Sequence, residues 1–232
     1  MAIKICGTDT SIKSTGKTIM TINDQDFSII DCKYYGYTDT KIRAYHDDIL
    51  NISFIGSDYS KLPIVKRQVI AYETILSDLE DVNVVSFEGY AYSKARTANS
   101  SNSRGMMQLA EFIGTLKYLL HTRNKSFIVY PSTTVKKFAT GNGNADKLLM
   151  QKQLKHDYPQ FHHDYFDNIL KWENPCSDIV DSFWMCECLR LHMKYDVLGE
   201  SKLTDVELHQ VTSHTPAAEP IISTQIITPH GR

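Results

Sequence analysis

The sequence predicts a mixed α/β fold in which helices cover the faces of a β-sheet. Three strand-like segments follow one another within the first 35 residues, and helical and strand patterns then alternate along the chain. Hydrophobic residues make up 42% and charged residues 22% of the chain, as in an ordinary globular protein. With 232 residues, the chain suits one domain with additions, or at most two small domains.

The first elements are predicted to be an antiparallel meander. Apolar and polar residues alternate over 2–8, and β-branched, strand-like runs occupy 17–23 and 27–35. Because these three segments are closely spaced, short turns can join them as neighbours in one sheet. Residues 36–61 are polar and rich in Tyr and Asp, and no element is assigned to them.

Helices and strands are predicted to alternate in the middle of the chain. Residues 62–81 carry apolar side chains at helical spacing, and 82–88 form a β-branched run that ends in Glu88. The segment 93–105 has no apolar stripe and is predicted to be a loop. An amphipathic helix over 106–121 and a short strand over 126–131 follow it.

The last third is predicted to be mainly helical. A short helix near 132–139 leads to a Gly-Asn turn at 140–144, and Asn144 is the predicted N-cap of a helix that ends at 157. Residues 158–176 are irregular or partly helical, 177–196 form a strong helix with Ser177 as N-cap, and 212–232 form a flexible tail.

Composition limits the function classes. A net charge of −2 gives no global basic signature, so a nucleic-acid partner would need a local patch. No apolar run approaches the roughly 18 residues that span a membrane, and the first residues lack a signal-peptide pattern. Five cysteines with no CxxC pair argue against a disulfide framework or a structural zinc site. We expect a reducing, cytoplasmic setting, in a bacterium or a phage-infected host.

Gly16-Lys17-Thr18 matches the end of a nucleotide-binding P-loop, but its context does not. A P-loop needs glycine five residues before that Gly, where this chain has Ser11. The motif must also open a helix, whereas β-branched alternation follows here. We therefore predict a β-hairpin, with Gly16 supplying a permissive φ angle, and no nucleotide cofactor. The candidate functional residue of this turn is then Asp9, a possible metal ligand at the end of the first strand.

Four carboxylates stand at positions that favour a metal centre. Asp9 and Glu88 each end a predicted strand, and Asp178 and Asp181 lie at i and i+3 in the predicted first helical turn. Each has a structural alternative, since Asp often binds turn amides and acids are common at helix N-termini. Together in one cleft they would repel by several kcal/mol, which divalent cations would offset. Oxygen ligands favour Mg²⁺, or Mn²⁺ as a substitute.

A second candidate cluster is Asp164 and Asp167, which also stand at i and i+3, beside His162 and His163. No buried strand accompanies this segment to organise a site. We therefore favour ordinary surface charge for these two acids.

Four motifs, in order, resemble the RuvC-type Holliday junction resolvases of the RNase H-like superfamily. They are "GTDTSIKSTG" (7–16), "VSFEGYAY" (85–92), "VKKFATGNGNADK" (135–147) and "NPCSDIVDSFWMC" (174–186). The resemblance covers roughly residues 1–195. It implies a mixed five-stranded sheet, three antiparallel strands followed by parallel ones, with helices on both faces. It also implies a nuclease domain over 1–196 with a C-terminal extension over 197–232.

The resemblance assigns roles to named residues. Asp9, Glu88, Asp178 and Asp181 match the acids that bind two Mg²⁺ ions and catalyse cleavage, and Lys136 and Lys147 match DNA-contacting lysines. The family carries an aromatic wedge after its catalytic Glu, where Ala91 falls here between Tyr90 and Tyr92, either of which could replace it. Lys94, Arg96 and Arg104 lie in the polar segment that follows, as phosphate contacts or as solvated charge.

The function implied is a homodimeric, Mg²⁺-dependent crossover junction endodeoxyribonuclease that leaves 5′-phosphate and 3′-hydroxyl ends. The helix at 106–121 is the candidate dimer interface, and longer intervals between motifs suit a phage or other viral branch. One alternative is a non-catalytic protein that binds branched DNA on the same fold. Another is an actin- or Hsp70-like ATPase, which the short chain without an internal repeat disfavours.

Overall fold

The structure is a computed structural model, and it describes residues 2–38, 45–54, 59–89, 100–168 and 173–213. Within these ranges, seven strands form one sheet in the order β4-β5-β3-β2-β1-β6-β7. The strands are β1 (Ala2–Asp9), β2 (Ser14–Asn23), β3 (Ile29–Thr38), β4 (Tyr45–His46), β5 (Leu50–Phe54), β6 (Val84–Glu88) and β7 (Ser126–Tyr130). The helices are α1 (Ile64–Leu76), α2 (Ser100–Thr122), α3 (Ser132–Thr140), α4 (Lys147–Asp157), α5 (Glu173–Leu198) and α6 (Asp205–Ser213).

The sheet is mixed, as predicted. Strands β1, β2 and β3 pair antiparallel, whereas β6 runs parallel to β1 and β7 runs parallel to β6. The prediction of five strands was too low, because β4 and β5 lie in the segment 36–61. Strand β5 pairs parallel with the outer edge of β3 and buries Leu50 and Ile52. The edge strand β4 has two residues and gives no periodicity, whereas β5 alternates apolar and polar residues over five positions, a strand signal that the prediction did not use.

Helices cover both faces, which confirms the predicted layers. On one face α3, α4 and α5 enclose a core with inward residues such as Ile5, Met20 and Trp184. On the other face α1 and α2 pack over Cys6 and Phe87, among others. Ile5 and Cys6 thus point to opposite cores, as successive residues of a strand must.

Helix α5 approaches the sheet closely because two strand residues lack side chains. A Cβ atom on Gly7 would lie 2.1 Å from the carbonyl oxygen of Ser182. A Cβ atom on Gly16 would lie 2.0 Å from the carbonyl carbon of Asp178. The predicted hairpin is confirmed, but Gly16 does not supply a positive φ, since it lies within β2 opposite Asp9. Its role is to admit the helix backbone.

Three predicted boundaries were wrong. The predicted loop over 93–105 becomes helix α2 from Ser100 onward, and the rest of that loop, 93–99, falls outside the described residues. The N-cap of α4 is Asp146 instead of Asn144, and its carboxylate accepts a hydrogen bond from the backbone of Leu149 at 2.7 Å.

The start of α5 also differs from the prediction. The last residue with non-helical angles is Asn174, so regular helix begins before Ser177, which is not its N-cap. Asp178 therefore closes the first helical turn and Asp181 lies in the second turn, where the helix dipole stabilises a negative charge less. Of the predicted tail over 212–232, only residues 212 and 213 are described, and both belong to α6.

Among the described residues, we find no helix that is both long and apolar enough to cross a lipid bilayer. All five cysteines are free and buried.

Candidate metal centre

The four predicted acids come from three elements that meet at one edge of the sheet. Asp9 is the last residue of β1 and Glu88 is the last residue of β6. These strands are parallel neighbours with Thr8 opposite Phe87, so both carboxyl-terminal ends reach the same edge. The contact of Gly16 with the backbone of Asp178 then places the start of α5 over the end of β1.

The acids lie close enough to perturb one another. Burial raises the pKa of Asp9 well above its usual range, and the charges of Asp178, Glu88 and Asp181 raise it further. Burial, followed by the charges of Glu88 and Asp178, raises the pKa of Asp181 to about 7. The structure therefore brings all four predicted acids into one electrostatic cluster.

Asp178 is the most deeply enclosed member, with 4% of its surface exposed. Its carboxyl group is hydrogen-bonded to that of Asp9. Burial raises the pKa of Asp178, and hydrogen bonds from Ser14 and Ser177 act in the opposite direction. Two carboxyl groups in such contact cannot both be ionised without a large cost, unless a proton or a cation lies between them.

Both predicted lysines adjoin the acids. Lys147 Nζ lies 3.7 Å from Asp178 Oδ1 and donates to Ser177 Oγ at 2.9 Å. Burial raises the pKa of Glu88, whereas a hydrogen bond with Ser132 and the charges of Lys136 and Lys147 lower it. The site thus combines buried negative charge with a positive margin contributed by α3 and α4.

The donor set fits a hard divalent cation. Four carboxylates supply oxygen ligands. Their raised pKa values show that the ionised form of each is unfavourable in this buried, acidic environment. A cation of charge +2 reverses that cost. Asp9, Glu88, Asp178 and Asp181 are the residues that would hold it.

Five residues of the predicted DNA surface remain untested. Tyr90, Tyr92, Lys94 and Arg96 lie outside the described residues, and Arg104 belongs to α2 with its side chain outside them.

The second acidic cluster brings a histidine and two aspartates together. One ligand atom each from His162, Asp164 and Asp167 lies within 4.8 Å of the others, and among the described residues no three of the four acids above meet that distance. Two cations about 4 Å apart divide their ligands between two centres, so four acids need not meet at one point. Asp167 already pairs with Lys155 at 2.8 Å and accepts from Gln151 at 2.8 Å. His163 bonds instead to Asp47.

Lys17 does not face a phosphate site. Its side chain is fully buried, and Nζ donates to the carbonyl oxygens of Thr74 at 3.3 Å and Ser77 at 2.7 Å. Lys17 therefore binds the carboxyl-terminal end of α1, where carbonyl groups lack helical partners.

Sequence reasoning missed the polar residues around Asp178. Ser14 donates to Asp178 Oδ2, and Ser177 Oγ lies 3.2 Å from both Asp178 Oδ1 and Asn174 Oδ1. Asn174 and Ser177 fall within a quoted motif, but Ser14 is separated from Asp178 by 164 positions. Only strand register and helix placement bring these two residues together.

No protein-family model matches the chain, and no curated protein shows significant sequence similarity to it. Solved structures are similar at low identity. The structure of Thermus thermophilus RuvC is 15% identical, with 86% of this chain and 97% of that chain covered and a TM-score of 0.48. The yeast mitochondrial Holliday junction resolvase Ydc2 is 16% identical, with 86% and 83% covered and a TM-score of 0.46.

A fowlpox virus resolvase, in a complex with Holliday junction DNA, is 17% identical, with 82% of this chain and 99% of that chain covered and a TM-score of 0.44. One of these structural neighbours is RuvC, and the other two are described as resolvases.

Proposed function

We propose that this chain is a metal-dependent endonuclease that cleaves branched DNA, with four-way junctions as its substrate. The observation that carries the proposal is the cluster of Asp9, Glu88, Asp178 and Asp181 at one edge of the sheet. Buried acids without compensating cations are costly, so such a cluster favours a metal-binding role over a structural one.

The chemistry expected of the site is hydrolysis of a phosphodiester. Two Mg²⁺ ions held by these carboxylates would supply an activated water and stabilise the leaving oxygen. The 5′-phosphate and 3′-hydroxyl ends are what the resemblance to the resolvase family implies. The four carboxylates hold the ions and must be ionised to do so. Lys136 and Lys147 lie at the margin, where their charges attract the DNA backbone towards an otherwise acidic surface.

The organisation of the chain is part of the proposal. Residues 1–196 form the nuclease unit, and 197–232 form an extension that begins near the end of α5. A junction has paired arms, so a symmetric homodimer presents two sites to two strands. Helix α2 exposes 73% of Met107 and 65% of Tyr118, and this apolar surface supports α2 as the interface.

The deciding experiment compares cleavage of a synthetic four-way junction with that of a linear duplex of the same sequence, with Mg²⁺. Asp9→Asn and Asp181→Asn each remove a charged metal ligand, and we expect cleavage to fall more than about 100-fold. Asp164→Asn, an exposed acid of the second cluster, is the matched control and should retain cleavage.

Full cleavage by Asp9→Asn would exclude the assignment. Loss of cleavage in Asp164→Asn alone would move the metal centre to the second cluster. If the unmodified protein binds the junction tightly but does not cleave it with Mg²⁺ or Mn²⁺, the non-catalytic branched-DNA-binding function replaces the nuclease.

A further inference from the structure

We propose that Ser14 is a positioning residue that fixes the orientation of the Asp178 carboxylate for cation binding. This inference rests on the proposed function, because it requires Asp178 to be a metal ligand. Ser14 is the first residue of β2 and is 2% exposed. Its hydroxyl group donates to Asp178 Oδ2 across the interface between β2 and α5.

The Asp178 carboxylate is held at both oxygens. Ser14 binds Oδ2, whereas Ser177 Oγ lies 3.2 Å from Oδ1 and Lys147 Nζ lies 3.7 Å from it. An aspartate side chain has only two rotatable bonds, so donors on both carboxylate oxygens hold it in one rotamer. The lone pairs that these donors do not use then point in fixed directions. Those free lone pairs are what remains for a cation shared with Asp9.

The donor on Oδ2 is the one that the fold fixes most firmly. Ser177 is adjacent to Asp178 on the same helix and moves with it, and Lys147 has a long side chain that is 38% exposed. Ser14 instead lies on a strand inside the sheet, in register with Thr38 of β3. A hydrogen bond to a charged acceptor is also stronger than one between neutral groups.

The same interface provides a comparison one helical turn further along. Ser182 Oγ lies 2.7 Å from Thr18 Oγ1, and both side chains are fully buried between α5 and β2. This pair links the same two elements through a buried serine hydroxyl group, but its partner is a neutral hydroxyl group and not a carboxylate. Ser182→Ala measures what the loss of a buried hydroxyl contact does to the fold alone.

The experiment uses the full chain and measures Mn²⁺ affinity by electron paramagnetic resonance of the free ion, with Asp9→Asn as the background for other binding. Ser14→Ala should weaken Mn²⁺ binding by about 10-fold to 100-fold, as is typical when a group that supports a metal ligand is removed. Ser14→Thr keeps the hydroxyl group and should restore most of the affinity. Ser182→Ala should also lower the melting temperature, because it removes a buried hydroxyl contact, but should leave Mn²⁺ affinity unchanged.

Equal Mn²⁺ affinity in Ser14→Ala and the unmodified protein would overturn the inference, and so would an equal loss in Ser182→Ala. If Ser14→Ala does not fold, Ser14→Cys gives the same readout, because a thiol is of similar size but donates weakly. The proposed function fails separately, when the unmodified protein does not bind Mn²⁺ above the Asp9→Asn background or does not cleave. If the unmodified protein binds Mn²⁺ and cleaves the junction, and Ser14→Ala binds Mn²⁺ equally well, only the role of Ser14 is rejected and the proposed function stands.

Discussion

Gly16 matters because it has no side chain, which lets the backbone of α5 pack against β2. It stands opposite Asp9 in the β1–β2 ladder, and the backbone of Asp178 packs directly on it. Any larger residue would displace the start of α5, since backbone atoms occupy the space of a Cβ. A residue with no chemistry of its own thus sets how near Asp178 comes to Asp9.

Asp181 provides a test of the cluster by pH. Its pKa is raised to about 7, above that of an unfolded chain, so the folded state holds this proton more tightly. The stabilisation is fully present below about pH 4 and is lost as the pH rises through about 7. In EDTA we therefore expect the melting temperature to fall between pH 5 and pH 8, as measured by calorimetry.

The matched variant for this prediction is Asp181→Asn, which removes one titrating group and should reduce the pH dependence of the melting temperature, while Asp9, Glu88 and Asp178 keep part of it. Mn²⁺ should raise the melting temperature more at pH 8 than at pH 5.5, because a cation binds the ionised carboxylates of the folded state. Cleavage should rise over the same interval. A melting temperature that increases with pH in EDTA would contradict the raised pKa of this cluster.

Helix α5 links the acidic site to the rest of the domain. It carries Asp178 and Asp181 near one end, and Glu187 and Arg190 further along. Arg190 Nη2 lies 2.6 Å from Glu187 Oε1, and Arg190 Nη1 donates to the carbonyl oxygen of Phe27 at 2.8 Å. The Glu187 side chain is fully buried, and Tyr158 also donates to it.

Arg190→Met should be strongly destabilising, because it leaves the charge of Glu187 buried without its partner. Removal of one member of a buried ion pair costs about 3–5 kcal/mol, and urea unfolding of the variant would measure this loss. Adding Glu187→Gln should recover part of that loss. Lys4→Met is the control, since the pair of Lys4 with Asp81 is exposed and should contribute about 0–1 kcal/mol. Equal losses in Arg190→Met and Lys4→Met would refute the buried-pair explanation.

The whole molecule should be a homodimer. Met107 and Tyr118 are eleven positions apart, which brings them to nearly the same side of α2, and both are exposed. Light scattering should give twice the mass of one chain, and Tyr118→Glu should shift the protein to monomer by placing a charge in an apolar contact. Val206→Glu, at an exposed valine on α6, should leave the dimer intact. A monomer of unmodified sequence would exclude this part of the proposal.

The sequence by itself determined the order of the main elements and the identity of the acids. Alternation in β1 and helical spacing in α1 are local properties, so they can be read along the chain. The family resemblance of the four motifs pointed to Lys136 and Lys147 as DNA-contacting residues, and in the structure both lie close enough to Asp181 to lower its pKa. Strand β4 has only two residues and therefore no periodicity, and β5 alternates apolar and polar residues over only five positions within a polar segment, so neither was assigned.

Tertiary structure alone decided how the acids are arranged and what surrounds them. The parallel register of β1 and β6 sets Asp9 beside Glu88, and close packing over Gly16 brings in Asp178. Ser14 gives no signal in sequence, because a buried serine in a strand looks the same whether or not a carboxylate faces it. Local patterns report which face of an element is buried, whereas contacts over 164 positions depend on how whole elements pack.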